Sequence, residues 1–196
     1  MNKLVYQPGI TINHNWSKTI QVLNYGIDLV QTHSPKITKE YKYSEYGYLY
    51  EIGSSGTVSH ITNGSEFWYN FTGPLVESTM PWLKDLLSTV EELEPAFVSI
   101  NKMVGNGAEH RDQPGINVGL NYFINTTNST TYVKDDDGYT ESYPSVAKTG
   151  WIADISKLHR IENTDERIWF NLRFGKPFLE CKEWFASHPN LVFGAG

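Results

Sequence analysis

RIWFNLRF, residues 167–174, alternates without a break: Arg167, Trp169, Asn171 and Arg173 take one parity, Ile168, Phe170, Leu172 and Phe174 the other. Successive side chains of a strand point to opposite faces, so this segment predicts a strand with one wholly apolar face. The second face carries two guanidiniums, an amide and an indole. It is either solvated, or turned into a barrel that holds a polar ligand. Arginine suits the second case, because its planar fork grips a carboxylate with two hydrogen bonds. The residues upstream decide between them.

From Phe97 onward the chain reads as mostly β. AFVSINKMV, GINVGLNYFI, TTYV and SVAKTGWIADI are short strand-like runs, separated by NGNG-type, DDDG and NTDE turn clusters. Two helices are predicted before them. WSKTIQVLNYGIDLVQ places Ile20, Leu23, Ile27 and Val30 at helical spacing, with Asn15 or Ser17 as cap and Gly26 as a weak point. STMPWLKDLLSTVEEL has Ser78 or Thr79 as cap, Pro81 in the first turn and Leu83, Leu86, Leu87, Val90 and Leu93 as its stripe. Between them, Tyr41, Tyr43, Tyr46, Tyr48 and Tyr50 step in twos as in a strand, a stripe that suits a planar ligand or simply β propensity. The expected fold is mainly β with flanking helices, a sandwich or barrel. With 196 residues and no repeat or linker, one domain is expected: 1–95 as N-terminal helices and flanking strands, 96–175 as the core, 176–196 as a C-terminal extension.

Composition narrows the function classes. The net charge is −6 with no Lys/Arg cluster, so phosphate backbones and anionic membranes are repelled, and neither nucleic acid nor membrane is an expected partner. A single cysteine, Cys181, excludes a multi-cysteine zinc site. The N-terminal residues have no apolar signal-like stretch and no run approaches membrane-spanning length, so a soluble, cytoplasmic protein is expected.

AEHRDQPGIN, residues 108–117, matches two chemistries. His110, Arg111, Asp112 and Asn117 have the H-R-D-x-x-x-x-N spacing of a kinase catalytic loop. A kinase also needs a Gly-rich loop, a strand lysine and an Asp-Phe-Gly ligand, and none is present. The second reading is a metal site, since residues i and i+2 of a strand present His110 and Asp112 to one point. A third ligand must come from His14, His33, His60, His159 or His188. His159 stands out by its place between the run GWIADI and the turn ENTDE, ahead of Arg167. Two histidines and one carboxylate on one face of a metal leave open positions, the facial arrangement of non-haem Fe(II) oxygenases.

His110-x-Asp112, then His159, then Arg167 resembles the H-x-D…H…R signature of the 2-oxoglutarate/Fe(II)-dependent oxygenases. The lead-in INKMVGNGAEHRD and the tail HRIENTDERIWFNLRF are similar to prolyl- and asparaginyl-type hydroxylases, over residues 97–174. The resemblance implies a double-stranded β-helix, a cupin-like jelly roll, with Fe(II) on His110, Asp112 and His159. It implies 2-oxoglutarate and O2 as co-substrates, with Arg167 on the distal carboxylate of 2-oxoglutarate. Seven residues separate His159 from Arg167, fewer than in several relatives, which keeps Arg173 as a second candidate for that carboxylate. Asn121 or Tyr122 also holds the co-substrate, and period two lets only one of them face inward. The implied activity is hydroxylation of an unactivated C–H in an amino acid, a peptide side chain or a small metabolite, with succinate and CO2 as co-products. KDDDGYTESYP, residues 134–144, is the candidate substrate lid. Two competing readings are a non-catalytic jelly-roll module binding carbohydrate or another planar ligand through the tyrosine stripe and the tryptophans, and a cupin-like iron enzyme that does without 2-oxoglutarate.

Overall fold

The computed structural model describes residues 3–33, 48–53, 57–62, 65–70 and 80–194, with side chains described at 3–25 and 80–194. In chain order the elements are β1 (Val5–Tyr6), β2 (Ile10–Ile12), α1 (Trp16–His33), β3 (Tyr48–Gly53), β4 (Thr57–Thr62), β5 (Ser65–Asn70), α2 (Leu83–Thr89) and a 3-10 turn (Glu91–Leu93). There follow β6 (Pro95–Val104), β7 (Gly107–His110), β8 (Val118–Phe123), β9 (Ser129–Lys134), β10 (Thr140–Pro144), β11 (Gly150–Asp154), β12 (Leu158–Asn163), β13 (Glu166–Phe174), α3 (Phe178–Ser187) and β14 (Leu191–Phe193).

The strands from β6 to β13 form two antiparallel layers. β11-β8-β13-β6 is the centre of the larger sheet, and β10-β9-β12-β7 is the smaller one. The chain changes sheet at every connection between them except the β9–β10 hairpin, and this winding is the double-stranded β-helix of a jelly roll. β1 adds to one edge of the larger sheet and β3-β4-β5 to the other. β14 pairs with β2 in parallel.

The alternation of β13 sorts its two faces. Ile168, Phe170, Leu172 and Phe174 join Val98 and Ile100 of β6 and Val118, Leu120 and Tyr122 of β8 in one buried cluster. Leu23, Leu83, Leu86, Phe178, Cys181 and Phe185 from the helices close that cluster. Burying this face removes several large apolar side chains from water, each worth about 1.5–3 kcal/mol. The opposite face of the larger sheet looks across at the smaller sheet and is polar: Ser99, Asn101, Asn121, Arg167 and Asn171 are all buried there. A polar layer inside a jelly roll is costly unless it is paired or holds a ligand.

Local signals explain the ends of the helices. Asn15 caps α1, its Oδ1 accepting from the Ser17 amide at 3.1 Å and the Ser17 hydroxyl at 2.7 Å. α2 is shorter than its stripe predicts: it begins at Leu83 after Trp82, without a side-chain cap, and gives way to the 3-10 turn after Val90. Pro81 therefore precedes the helix, and Ser78 and Thr79 lie outside the described residues, as do Tyr41, Tyr43 and Tyr46. Tyr48 and Tyr50 fall on β3.

The segment expected to be a lid is a hairpin. Thr140–Pro144 is β10, paired with Lys134–Thr130 of β9. The turn between them closes on Asp135, whose Oδ1 accepts from the amides of Asp137 and Tyr139. Gly138 supplies the left-handed φ of 89° that this turn needs. Glu141 of this hairpin holds the N-terminal strand, accepting from the amides of Lys3 (2.9 Å), Leu4 (2.8 Å) and Val5 (3.0 Å). Burial pushes the Glu141 carboxyl up, but those amides and the Tyr139 hydroxyl together hold it below its usual value. A depressed carboxyl stabilises the fold above its unfolded pKa and loses that contribution as pH falls through its folded pKa. Glu141→Ala is expected to cost about 1–3 kcal/mol, from charge-assisted hydrogen bonds to backbone. Amide exchange should quicken at Leu4 and Val5, and the wild type should show the same local loosening at acid pH. Unchanged exchange at those two amides in the variant would count against the anchor.

Candidate metal centre

β7 and β12 pair so that His110 stands opposite His159. That register sets the two imidazoles side by side, their centroids 4.3 Å apart. Asp112 lies two residues beyond the end of β7 and is fixed by its own amide, which donates to the Ile155 carbonyl at 3.2 Å. It is therefore not on the strand with His110, as period two predicts, yet it faces the same point. Its Oδ1 is 3.5 Å from His110 Nε2 and 3.7 Å from His159 Nε2. One ligand atom from each of the three residues lies within 4.8 Å of the others, the one such group among the described residues.

The hydrogen bonds behind the imidazoles set their tautomers. His110 Nδ1 is 2.8 Å from the Ala108 carbonyl, and His159 Nδ1 is 3.0 Å from the Lys157 carbonyl. A carbonyl only accepts, so each Nδ1 carries a proton and each ring turns its Nε2 to the Asp112 side. This is the arrangement of a metal-ligating histidine. Burial, and then the nearby His110, lowers the His159 pKa to about 4, so this ring is neutral at pH 7. The hydrogen bond with Asp112 raises His110 against an opposing effect of burial. Burial pushes Asp112 up, but His110, Arg173 and His159 hold it below the usual carboxylate value. Two imidazole nitrogens and one carboxylate oxygen, with His110 54% exposed on one side, fit a divalent cation that keeps open positions.

Behind the triad is a cavity of about 100 Å³ between the two sheets. Arg167 lies at its deep end, 1% exposed. One terminal nitrogen donates to Thr131 Oγ1 at 3.0 Å, and the guanidinium rests on the rings of Trp169 and Phe123, 4.6 and 4.8 Å from their centroids. Its Nε has no partner, and no carboxylate pairs with it among the described residues. Burial lowers its pKa to about 10, against the pull of Tyr143. Tyr143 closes the group: its hydroxyl accepts from Asn121 Nδ2 at 2.8 Å and its ring stacks on Trp151.

The residues singled out in the sequence divide cleanly. His110, Asp112, Asn121, His159, Arg167 and Arg173 all line this cavity. Tyr122 is not brought there: it points to the other face of β8, where its hydroxyl accepts from the Ile12 amide at 3.2 Å. Arg173 is at the mouth and pairs with Asp112 Oδ2 at 3.5 Å. Arg111 points away and, with Lys157, pairs with Asp136 at the tip of the β9–β10 hairpin. Of the other histidines, His14 bonds Thr19 Oγ1 at 2.9 Å and His188 stacks on Trp184, both away from the cavity. The side chains of His33 and His60 lie outside the described residues. Asn171, on the polar face of RIWFNLRF, also lines the cavity, and so do Thr131 and Tyr143, which no motif marks. Tyr143 carried one signal, the alternation of Ser142, Tyr143 and Pro144 against TTYV, but the preceding acidic run reads as a solvated loop.

No family model and no curated protein matches the chain. Solved structures do. EvdMO1 is 16% identical over 89% of this chain and 47% of its own, with a TM-score of 0.50. An oxidoreductase of the 2OG-Fe(II) oxygenase family from Burkholderia pseudomallei is 11% identical over 79% of this chain and 90% of its own, with a TM-score of 0.47. A prolyl-4-hydroxylase from Pseudomonas putida is 13% identical over 76% and 86%, with a TM-score of 0.42. At such identities likeness speaks for architecture and not for chemistry. The winding of β6 to β13 makes the architecture a jelly roll, and the likeness to EvdMO1 is one of fold.

Proposed function

We propose that the chain is an Fe(II)- and 2-oxoglutarate-dependent oxygenase that hydroxylates an unactivated C–H of an amino acid, a peptide side chain or a small metabolite. The observation that carries this reading is Arg167. A guanidinium sealed from water, without a counter-anion, lies deep in a cavity whose mouth carries two imidazole nitrogens and a carboxylate oxygen. An isolated buried charge is among the costliest features a fold can keep, and an anionic ligand removes the cost. A 2-oxo diacid offers one carboxylate to Arg167 and an oxo-acid head to the cation at the triad.

In this reading His110, Asp112 and His159 hold Fe(II), and Arg167, Thr131 and Tyr143 take the distal carboxylate. When bound, Fe(II) supplies the redox chemistry that divides one O2 between 2-oxoglutarate, which leaves as succinate and CO2, and a substrate C–H, which becomes C–OH. The apolar walls, Met103, Val133, Ala153 and Ile161, keep water from the cavity. Asp112 is held in its charged form and His159 in its neutral form, so the carboxylate is the one anionic ligand offered to the metal. The binding-module and 2-oxoglutarate-independent readings leave the lone buried arginine without a purpose.

The test is turnover of 2-oxoglutarate by the purified chain with Fe(II) and ascorbate in air, read as succinate by mass spectrometry. Formation of succinate that stops when the metal is chelated is the expected result, and its absence with bound iron and 2-oxoglutarate present argues for a binding module. Tyr143→Phe removes one donor from the carboxylate site, a loss of about 1 kcal/mol. It should raise the KM for 2-oxoglutarate about fivefold and leave kcat nearly unchanged. An unchanged KM would take Tyr143 out of the co-substrate site.

A further inference from the structure

Arg173 shares a strand face with Arg167 but is used differently. It stands at the mouth of the cavity, its side chain 28% exposed, with the guanidinium over the Phe97 ring at 5.4 Å. Its Nε donates to Asn171 Oδ1 at 3.1 Å and lies 3.5 Å from Asp112 Oδ2. Asn171 is held in turn, donating from Nδ2 to Asn121 Oδ1 at 2.8 Å, and Asn121 donates to the Tyr143 hydroxyl. The arginine head is thus fixed by amides of β8 and β13 rather than left to wander at a surface. The consequence falls on Asp112. One of its oxygens faces both imidazole Nε2 atoms, and the other is turned to Arg173.

We infer that Arg173 is a positioning residue of the metal centre: by holding Asp112 Oδ2 it confines Asp112 to a one-oxygen contact and keeps Oδ1 on the side of His110 and His159. The inference rests on the triad being a metal site, as proposed above, and not on 2-oxoglutarate. Its sign separates it from a bland role. A cation this close to a ligand repels a divalent metal, so if Arg173 were only a charge, neutralising it would tighten metal binding. If it positions Asp112, neutralising it loosens binding, because partners behind a ligand typically hold 10–100-fold in metal affinity.

The experiment titrates Co(II) into the purified, metal-free full chain without 2-oxoglutarate, reading affinity by calorimetry and ligand geometry by the visible absorption of bound Co(II). His110→Ala marks loss of the site, and circular dichroism checks that each variant is folded. Arg173→Met should weaken Co(II) about tenfold and change the spectrum. Arg173→Lys keeps the charge but not the Nε contact, and should weaken Co(II) less while still altering the spectrum. If wild type binds Co(II), His110→Ala abolishes it, and both Arg173 variants bind as tightly or more tightly with an unchanged spectrum, the inference fails and the metal centre stands. If wild type does not bind Co(II), both fall. Should Arg173→Met not fold, Arg173→Lys alone decides by its spectrum and affinity.

Discussion

His159→Ala is expected to reduce 2-oxoglutarate turnover to the level of chelator-treated protein, and Asp112→Ala and His110→Ala should do the same. The triad has no spare ligand: among the described residues no fourth histidine or acid comes within reach of the three. Losing one of three ligands removes a direct bond to the ion, a larger change than the 10–100-fold effect of losing a partner behind a ligand. His159 is the sharpest case because its side chain is 10% exposed and wedged between His110 and the Lys157 carbonyl. Buffer molecules cannot replace it. The measurement is succinate formation together with Co(II) affinity, on protein whose circular dichroism matches wild type. Full turnover in all three variants would exclude the triad as the reacting centre, and turnover lost with Co(II) affinity intact would place these residues on the substrate instead.

The order His110, Asp112, His159, Arg167 and the two faces of β13 were legible because each rests on a local rule. Period two sorts RIWFNLRF without any knowledge of its neighbours. The strands of the smaller sheet obey no such local rule. β7 (GAEH), β10 (TESYP) and β12 (LHRIEN) show no apolar alternation, since one side is solvated and the other faces a cavity that is itself polar. Where the inside of a barrel is built for a polar ligand, binary pattern stops distinguishing inside from outside. For the same reason KDDDGYTESYP looked like a lid, although its second half is a strand that buries Tyr143. Period two extends the strand to Asp112, but β7 ends at His110, and the position of Asp112 is set by a long-range bond to Ile155 that no short motif contains. The roles of Arg167 and Arg173 were open for a related cause. Both lie on one face of β13, and only depth tells them apart: one is sealed, the other sits at the mouth against Asp112.

Arg167→Met should separate stability from function in opposite directions. Holding the guanidinium charged while burial lowers its pKa from 12.5 to about 10 costs the fold about 3 kcal/mol. The polar groups left behind are few, the hydroxyls of Thr131 and Tyr143, and Nε has no partner. Methionine fills a similar volume between the Phe123 and Trp169 rings and adapts to irregular gaps. Replacing buried charge by packed apolar groups is commonly neutral or stabilising by about 1–4 kcal/mol. The ligand-free variant is therefore expected to melt at or above the wild-type temperature. Co-substrate binding should move the other way. Leaving a buried carboxylate without its cation costs about 3–5 kcal/mol, or about 10²–10⁴-fold in the KM for 2-oxoglutarate. Saturating 2-oxoglutarate raises the melting temperature of any protein that binds it only when folded, so it should stabilise wild type and leave Arg167→Met unmoved. Thermal unfolding with and without 2-oxoglutarate, beside the steady-state KM, reads both effects. A variant that melts well below wild type would mean that Arg167 serves packing, and an unchanged KM would remove it from the co-substrate site. If Arg173→Met raises that KM instead, the carboxylate site moves along β13 toward the cavity mouth, and Arg167 is left as a buried charge with no ligand to neutralise it.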